Sequence, residues 1–153
     1  MSVMAARASF GILTLLLPSS LGGLIDGQEG FEQAGFALIV NAANPGTQIR
    51  RESVAAAFLK QATRWGDGSP IAPVDQSTTS PVRKVFTEAV LKQSVASVQN
   101  HWMQQIQAGR LPPPVKNSDA EVAAYVTKEK GAIGYVTADF VPPAGTKLIR
   151  LAE

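Results

Sequence analysis

The chain of 153 residues has no cysteine and a single histidine, His101. The first absence excludes a disulfide framework, a thiolate metal site and a lipid-bearing cysteine, and the second leaves a transition metal short of ligands. His101 stands beside Trp102 on a predicted helix and reads as a surface residue, not as a ligand or general base. Aromatic residues are 7% of the sequence, and no basic stripe is interleaved with them, which speaks against nucleic-acid binding. Also missing are Gly-x-Ser-x-Gly, a phosphate-cradling loop ending in Gly-Lys-Ser/Thr, and His-Glu-x-x-His. The acidic pairs Asp67 with Asp75 and Glu29 with Glu32 lie near turns, where carboxylates are normally solvated. The expectation is therefore a protein that is not an enzyme and that uses neither metal nor cofactor.

What is present is the composition of a packed globule, with 45% hydrophobic and 17% charged residues. Residues 1–23 have the order of a secretory signal peptide. Arg7 precedes the largely apolar run Phe10 to Leu17, and the small, helix-breaking stretch Pro18 to Gly23 follows. That run is too short for a permanent membrane span, which takes about 20 apolar residues. Residues 24–153 are then expected to form one domain in the periplasm or the medium. Without Arg7 the chain carries 13 basic against 12 acidic residues, so net charge points to no particular partner.

Strand and helix signals alternate along the rest. Phe36 to Val40 is a continuous apolar run bounded by Gly35 and the turn residues Asn41 to Gly46, as expected of a strand covered on both faces. Arg51 to Gln61 is helical, with Val54 and Phe58 on one face. Trp65 to Pro70 is turn chemistry, and Pro73 restricts Ile71 to Val74 to a short or edge strand. Ser80 and Pro81 read as the N-cap and first residue of a second helix, with Val82, Val85, Phe86, Ala89 and Val90 on its apolar face. A third helix is expected from Val95 to Gln107, ended by Gly109, and Leu111 to Pro114 is extended. Ser118 to Glu121 is a capping box opening a fourth helix, with Gly131 as the residue that terminates it. Ala132 to Val136 and Lys147 to Leu151 complete the strands, predicting an α/β domain with a mixed, mainly parallel sheet flanked by helices.

Four successive hydroxyls, Ser77, Thr78, Thr79 and Ser80, lead into the second helix, whose start presents unpaired N–H groups and a partial positive charge. Arg83 and Lys84 fall in its first turn, where the macrodipole opposes a cation by about 0.3–1 kcal/mol. An oxyanion among them relieves that conflict. Asn41 and Asn44, after the first long strand, are expected to face the same cleft if ligands gather at the carboxyl ends of strands.

An ordered series of segments resembles the periplasmic phosphate-binding proteins of ABC transporters, specifically the segment building their second lobe. It runs through Ala37-Leu38-Ile39-Val40-Asn41 with Asn44-Pro45, Ala57-Phe58-Leu59-Lys60, Arg64-Trp65-Gly66-Asp67-Gly68 and Pro70-Ile71-Ala72-Pro73-Val74. Ser80-Pro81-Val82-Arg83-Lys84-Val85-Phe86, Gly109-Arg110-Leu111-Pro112-Pro113 and Gly131-Ala132-Ile133-Gly134-Tyr135-Val136 complete it. The resemblance implies a type II periplasmic-binding-protein lobe. It also implies a phosphate or similar oxyanion held by hydroxyls and backbone N–H groups at helix ends, in a protein that can serve an ABC transporter; the residues expected to build such a site here are Ser77, Thr78, Thr79, Ser80 and Arg83, with Asn41 and Asn44 placed by the strand-end argument. Departures accompany it. Gln76 stands where the family usually has an arginine, and Pro81 and Val82 stand where it has glycine and threonine, which removes an N–H and a hydroxyl. The first lobe that normally precedes this segment has no counterpart in the dozen residues before Phe36, so a second copy or another envelope protein is expected to complete the site. The alternative reading is an interaction or structural envelope protein that keeps the lobe without the ligand.

Overall fold

In the computed structural model, which describes residues 35–153 and the strand pairing of Glu32 and Gln33, β1 (Glu32–Gln33) forms a hairpin with β2 (Phe36–Asn41). The leader expected over residues 1–23 lies outside the described residues. β3 (Gln48–Arg50) runs directly into α1 (Arg51–Phe58), followed by β4 (Ala72–Pro73) and β5 (Asp75–Gln76). α2 (Pro81–Phe86) continues as a π-helical turn, Thr87–Leu91. Then come α3 (Val95–Gln107), β6 (Val115–Lys116), α4 (Asp119–Lys128), β7 (Ala132–Thr137) and β8 (Thr146–Ala152).

The main sheet has the order β3-β8-β2-β7-β4, and it is mixed, as expected. Its parallel ladders are the short outer ones, β3 with β8 and β4 with β7, while β2 runs antiparallel to both long neighbours. The register Phe36↔Thr137 and Val40↔Ile133 puts the start of β2 beside the end of β7. Strand direction is thus opposite at the centre, which matters for the site.

Residue alternation on β2 and β7 divides the interior into two cores. Phe36, Leu38 and Val40 with Ile133 and Tyr135 pack against Val54 and Phe58 of α1, Phe86 of α2 and Trp102 of α3. Ala37, Ile39 and Val136 face Val122, Ala123 and Val126 of α4. Because both faces are covered, all six residues of β2 are buried, and the unbroken apolar run in the sequence follows from that. Phe86 stacks on Tyr135 with centroids 3.9 Å apart and rings 6° from parallel, and Phe36 meets the edge of Phe86 at 5.5 Å. Gly134 allows α4 to sit down on the sheet. A Cβ there would lie 2.6 Å from Val122 Cγ1 and 2.9 Å from Val74 Cγ1.

Two expectations about helix ends are corrected. Gly131 does not take the left-handed conformation that ends a helix; it is required because a Cβ would sit 2.0 Å from the carbonyl oxygen of Pro70. α1 stops at Phe58 rather than Gln61, since Lys60 is left-handed with φ 54°. Ser118 does cap α4, its hydroxyl accepting from Glu121 N at 3.2 Å, while Glu121 returns a bond to Asn117 N instead of to the cap residue. Among the described residues no helix is long and apolar enough to cross a membrane.

Candidate functional site

β5 pairs in parallel with β6, which delivers the chain to a tight turn in which Ser80 N donates to Ser77 O at 2.9 Å. From that turn α2 departs, with Ser80 extended at φ −72° and ψ 126°. Its hydroxyl does not cap the helix. It donates instead to Gln76 Oε1 at 3.0 Å, so N-cap chemistry in the sequence is spent on a neighbouring side chain. Ser77 and Thr79 pair their hydroxyls at 3.0 Å on the outside of the turn, and Thr78 is exposed.

Gln76 is 2% exposed and organises everything around it. Its Nε2 donates to Asp119 Oδ1 at 2.8 Å and to the carbonyl of Tyr135 at 3.0 Å. Its backbone N–H reaches both Asp75 Oδ1, at 2.9 Å, and the Tyr135 hydroxyl, at 3.1 Å. Beneath it lies a buried ion pair. Arg83 Nη1 is 3.0 Å from Asp75 Oδ2 and donates to Gln76 O at 2.6 Å, and the Tyr135 hydroxyl donates to Asp75 Oδ1. Burial pushes the Asp75 carboxyl above its ordinary range, and the Arg83 cation, the Tyr135 hydroxyl and the Gln76 N–H pull against it. Burial, with the Asp75 charge, also raises the Tyr135 phenol, which therefore stays a donor.

A hollow of about 380 Å³ opens on the other side of Gln76. Ser80, Pro81 and Val82 at the start of α2, Asn117 to Asp119 at the start of α4, and Thr137 at the end of β7 line it. Two helix beginnings and the carboxyl end of a strand converge there, the position at which α/β folds collect anions. An internal carboxylate already stands in it. Asp119 takes the Gln76 amide on Oδ1 and the Thr137 hydroxyl on Oδ2 at 2.6 Å, and no cation lines the hollow among the described residues.

The seven residues that sequence reasoning groups together are divided by the fold. Ser80 alone lines the hollow, with Ser77 and Thr79 on the turn beside it. Arg83, expected to meet an outside anion, turns inward to Asp75, and with Thr78 it lines a separate cavity toward α3. Asn41 and Asn44 lie at the opposite end of the sheet because β2 runs antiparallel to β7. There Asn41 Nδ2 donates to the Val126 and Thr127 carbonyls at the end of α4, and Asn44 Oδ1 accepts from Gly46 N. Asp119 and Thr137 were missed. Asp119 reads as a helix first-turn acid in sequence, and nothing local signals that the end of β7 will meet it.

A mixed sheet clothed by helices on both faces, with a hollow between two helix starts, makes this an α/β lobe. The chain belongs to the PBP superfamily, whose domain model matches residues 33–150. A comparison with curated proteins finds no match. Solved structures do match. A candidate phosphate ABC transporter substrate-binding protein from Clostridium perfringens with bound phosphate superposes with a TM-score of 0.61 at 17% identity, covering 76% of this chain and 44% of that one. An ABC-type phosphate transport receptor from Vibrio cholerae gives 0.60 at 24% identity over 78% and 47%, and PstS from Borrelia burgdorferi gives 0.61 at 13% over 78% and 47%. At these identities the likeness concerns the fold, and the chain spans less than half the length of each of these structures.

Proposed function

We propose that this domain is an extracytoplasmic solute-binding lobe that takes a small oxyanion still carrying a proton, phosphate in preference to sulfate, in the hollow between α2 and α4. The observation that carries the proposal is Asp119 among the starts of two helices. Helix ends favour an anion by about 0.3–1 kcal/mol each, and the Ser80 hydroxyl can give a charged oxygen a bond of about 1.5–3 kcal/mol only by giving up its bond to Gln76 Oε1, about 0.5–1.5 kcal/mol. A bare anion some 4 Å from Asp119 is opposed by about 4 kcal/mol at an effective dielectric near 20. The opposing term is the larger. A protonated oxyanion donates to Asp119 and converts the opposing term into a charge-assisted hydrogen bond. Ser77 and Thr79 sit beside the mouth, and a second copy or another envelope protein supplies the facing wall.

Selective binding to the native state raises the melting temperature by mass action, by about 2.7 kcal/mol of stability at a hundredfold excess over Kd. Phosphate is expected to give a saturable rise and sulfate at equal ionic strength none. An equal response to both anions, or no response to either, contradicts the proposal.

One observation favours a second reading, an assembly protein that has kept the lobe and closed the site. The Ser80 hydroxyl already donates to the Gln76 amide oxygen, and the Gln76 amide nitrogen to Asp119. Light scattering separates the two: stable association with no phosphate response supports assembly, and a phosphate response supports the solute-binding lobe.

A further inference from the structure

Behind the Asp75–Arg83 pair lies a second cavity, of about 410 Å³, between α3 and the extended segment before β6. Its size is that of a small-molecule site, where apolar walls surround a few placed polar groups. Trp102, Met103 and Ile106 of α3 form one wall, and Pro112, Pro113 and Val115 form the other. Met103 is 64% and Ile106 50% exposed, an unusual investment of apolar surface on one side of a helix whose Val98 and Trp102 already fill the core. The polar lining comes from the Asp75–Arg83 ion pair together with Thr78, Gln99 and Asn100.

Arg83 is 4% exposed, and both of its bonds run through Nη1. Its Nε is buried without any acceptor. A guanidinium has five N–H donors, so Arg83, a lining residue of this cavity, holds donor capacity that the protein leaves unmet. An acceptor brought by a ligand recovers the free energy lost there. Formal charge on that ligand brings no gain, because Asp75 lies 3.0 Å from Arg83 Nη1 and would repel an anion as Arg83 attracts it.

We infer that this cavity is a binding site for an uncharged, apolar molecule presenting a hydrogen-bond acceptor, such as the carbonyl of an aromatic or aliphatic amide. The apolar body lies between Met103, Ile106 and Pro113, and the carbonyl points to the remaining donors of Arg83. This site is separate from the hollow beside Ser80 and stands whether or not that hollow takes phosphate.

Acetanilide is a suitable probe, followed by the two indole N–H resonances in proton–nitrogen correlation spectra. The Trp102 signal is expected to move saturably and the Trp65 signal to stay, because Trp65 lies outside this cavity with its Nε1 bonded to Gly131 O. N-ethylaniline, which lacks the carbonyl, is expected to bind about tenfold more weakly, the loss of roughly one hydrogen bond to a charged group. Ile106→Glu places a charge on an already half-exposed position, so the fold persists, and the Trp102 shift is expected to vanish with the melting temperature nearly unchanged. No saturable movement of Trp102, equal binding of the two probes, or binding that survives Ile106→Glu overturns the inference.

Discussion

Arg83 Nη1 lies 3.0 Å from Asp75 Oδ2 in the interior, so the cation that opens α2 is turned into the protein and neutralised there. Removing one partner of such a pair strands the other charge, which costs about 3–5 kcal/mol. Arg83→Met is expected to lose stability on that scale in urea unfolding at neutral pH. The double variant Arg83→Met, Asp75→Leu should recover more than half of it. Additive losses would contradict the coupling.

The Asp75 carboxyl is held above its ordinary value by burial, which makes the folded state bind a proton that the unfolded state has already released. Stability contributed by this group is therefore present at low pH. It is lost as pH rises from the ordinary aspartate value, about 3.9, through the raised folded value. The stability gap between the native sequence and Asp75→Asn is expected to narrow over that window. A gap that widens as pH rises would reverse the assignment.

Thr87 begins the π-helical turn fully buried, and its hydroxyl has no partner. Thr87→Val keeps the shape and removes the orphaned group, whose burial costs about 1–3 kcal/mol. A gain of about 1 kcal/mol in chemical denaturation is expected. A loss would mean that the hydroxyl is bonded in solution.

Gly134→Ala forces a methyl group to within 2.6 Å of Val122 Cγ1. Overpacking of this kind costs about 1–3 kcal/mol, and Val122→Ala made in the same chain should return part of it by vacating the space. Independent, additive losses in thermal unfolding would show that α4 does not press on the sheet at this point.

Much of the fold is legible because its signals are local. The stripe of α3 with Gly109 after it fixes Val95–Gln107, and Ser118 with Glu121 fixes the start of α4. The site is less legible because its partners are distant in sequence or ambiguous in direction. Asp119 meets Gln76 and Thr137 only after α4 packs on β7, and Asp75 captures Arg83 across one turn of chain that reads equally well as solvent-facing. Phe36 to Val40 announces a buried strand but not which way it runs, so Asn41 and Asn44, expected beside Ser80, lie at the opposite end of the sheet. Ser80 shows the same limit at smaller scale: an N-cap residue type does not say whether its hydroxyl bonds the helix or Gln76.

The role given to Asp119 is tested most directly by titration calorimetry of phosphate and of sulfate, on the native sequence and on Asp119→Asn. Phosphate alone is expected to bind the native protein, and the variant, relieved of a like charge, should gain sulfate affinity by tenfold or more. Sulfate binding to the native protein as tightly as phosphate, or a preference untouched by Asp119→Asn, would contradict the account.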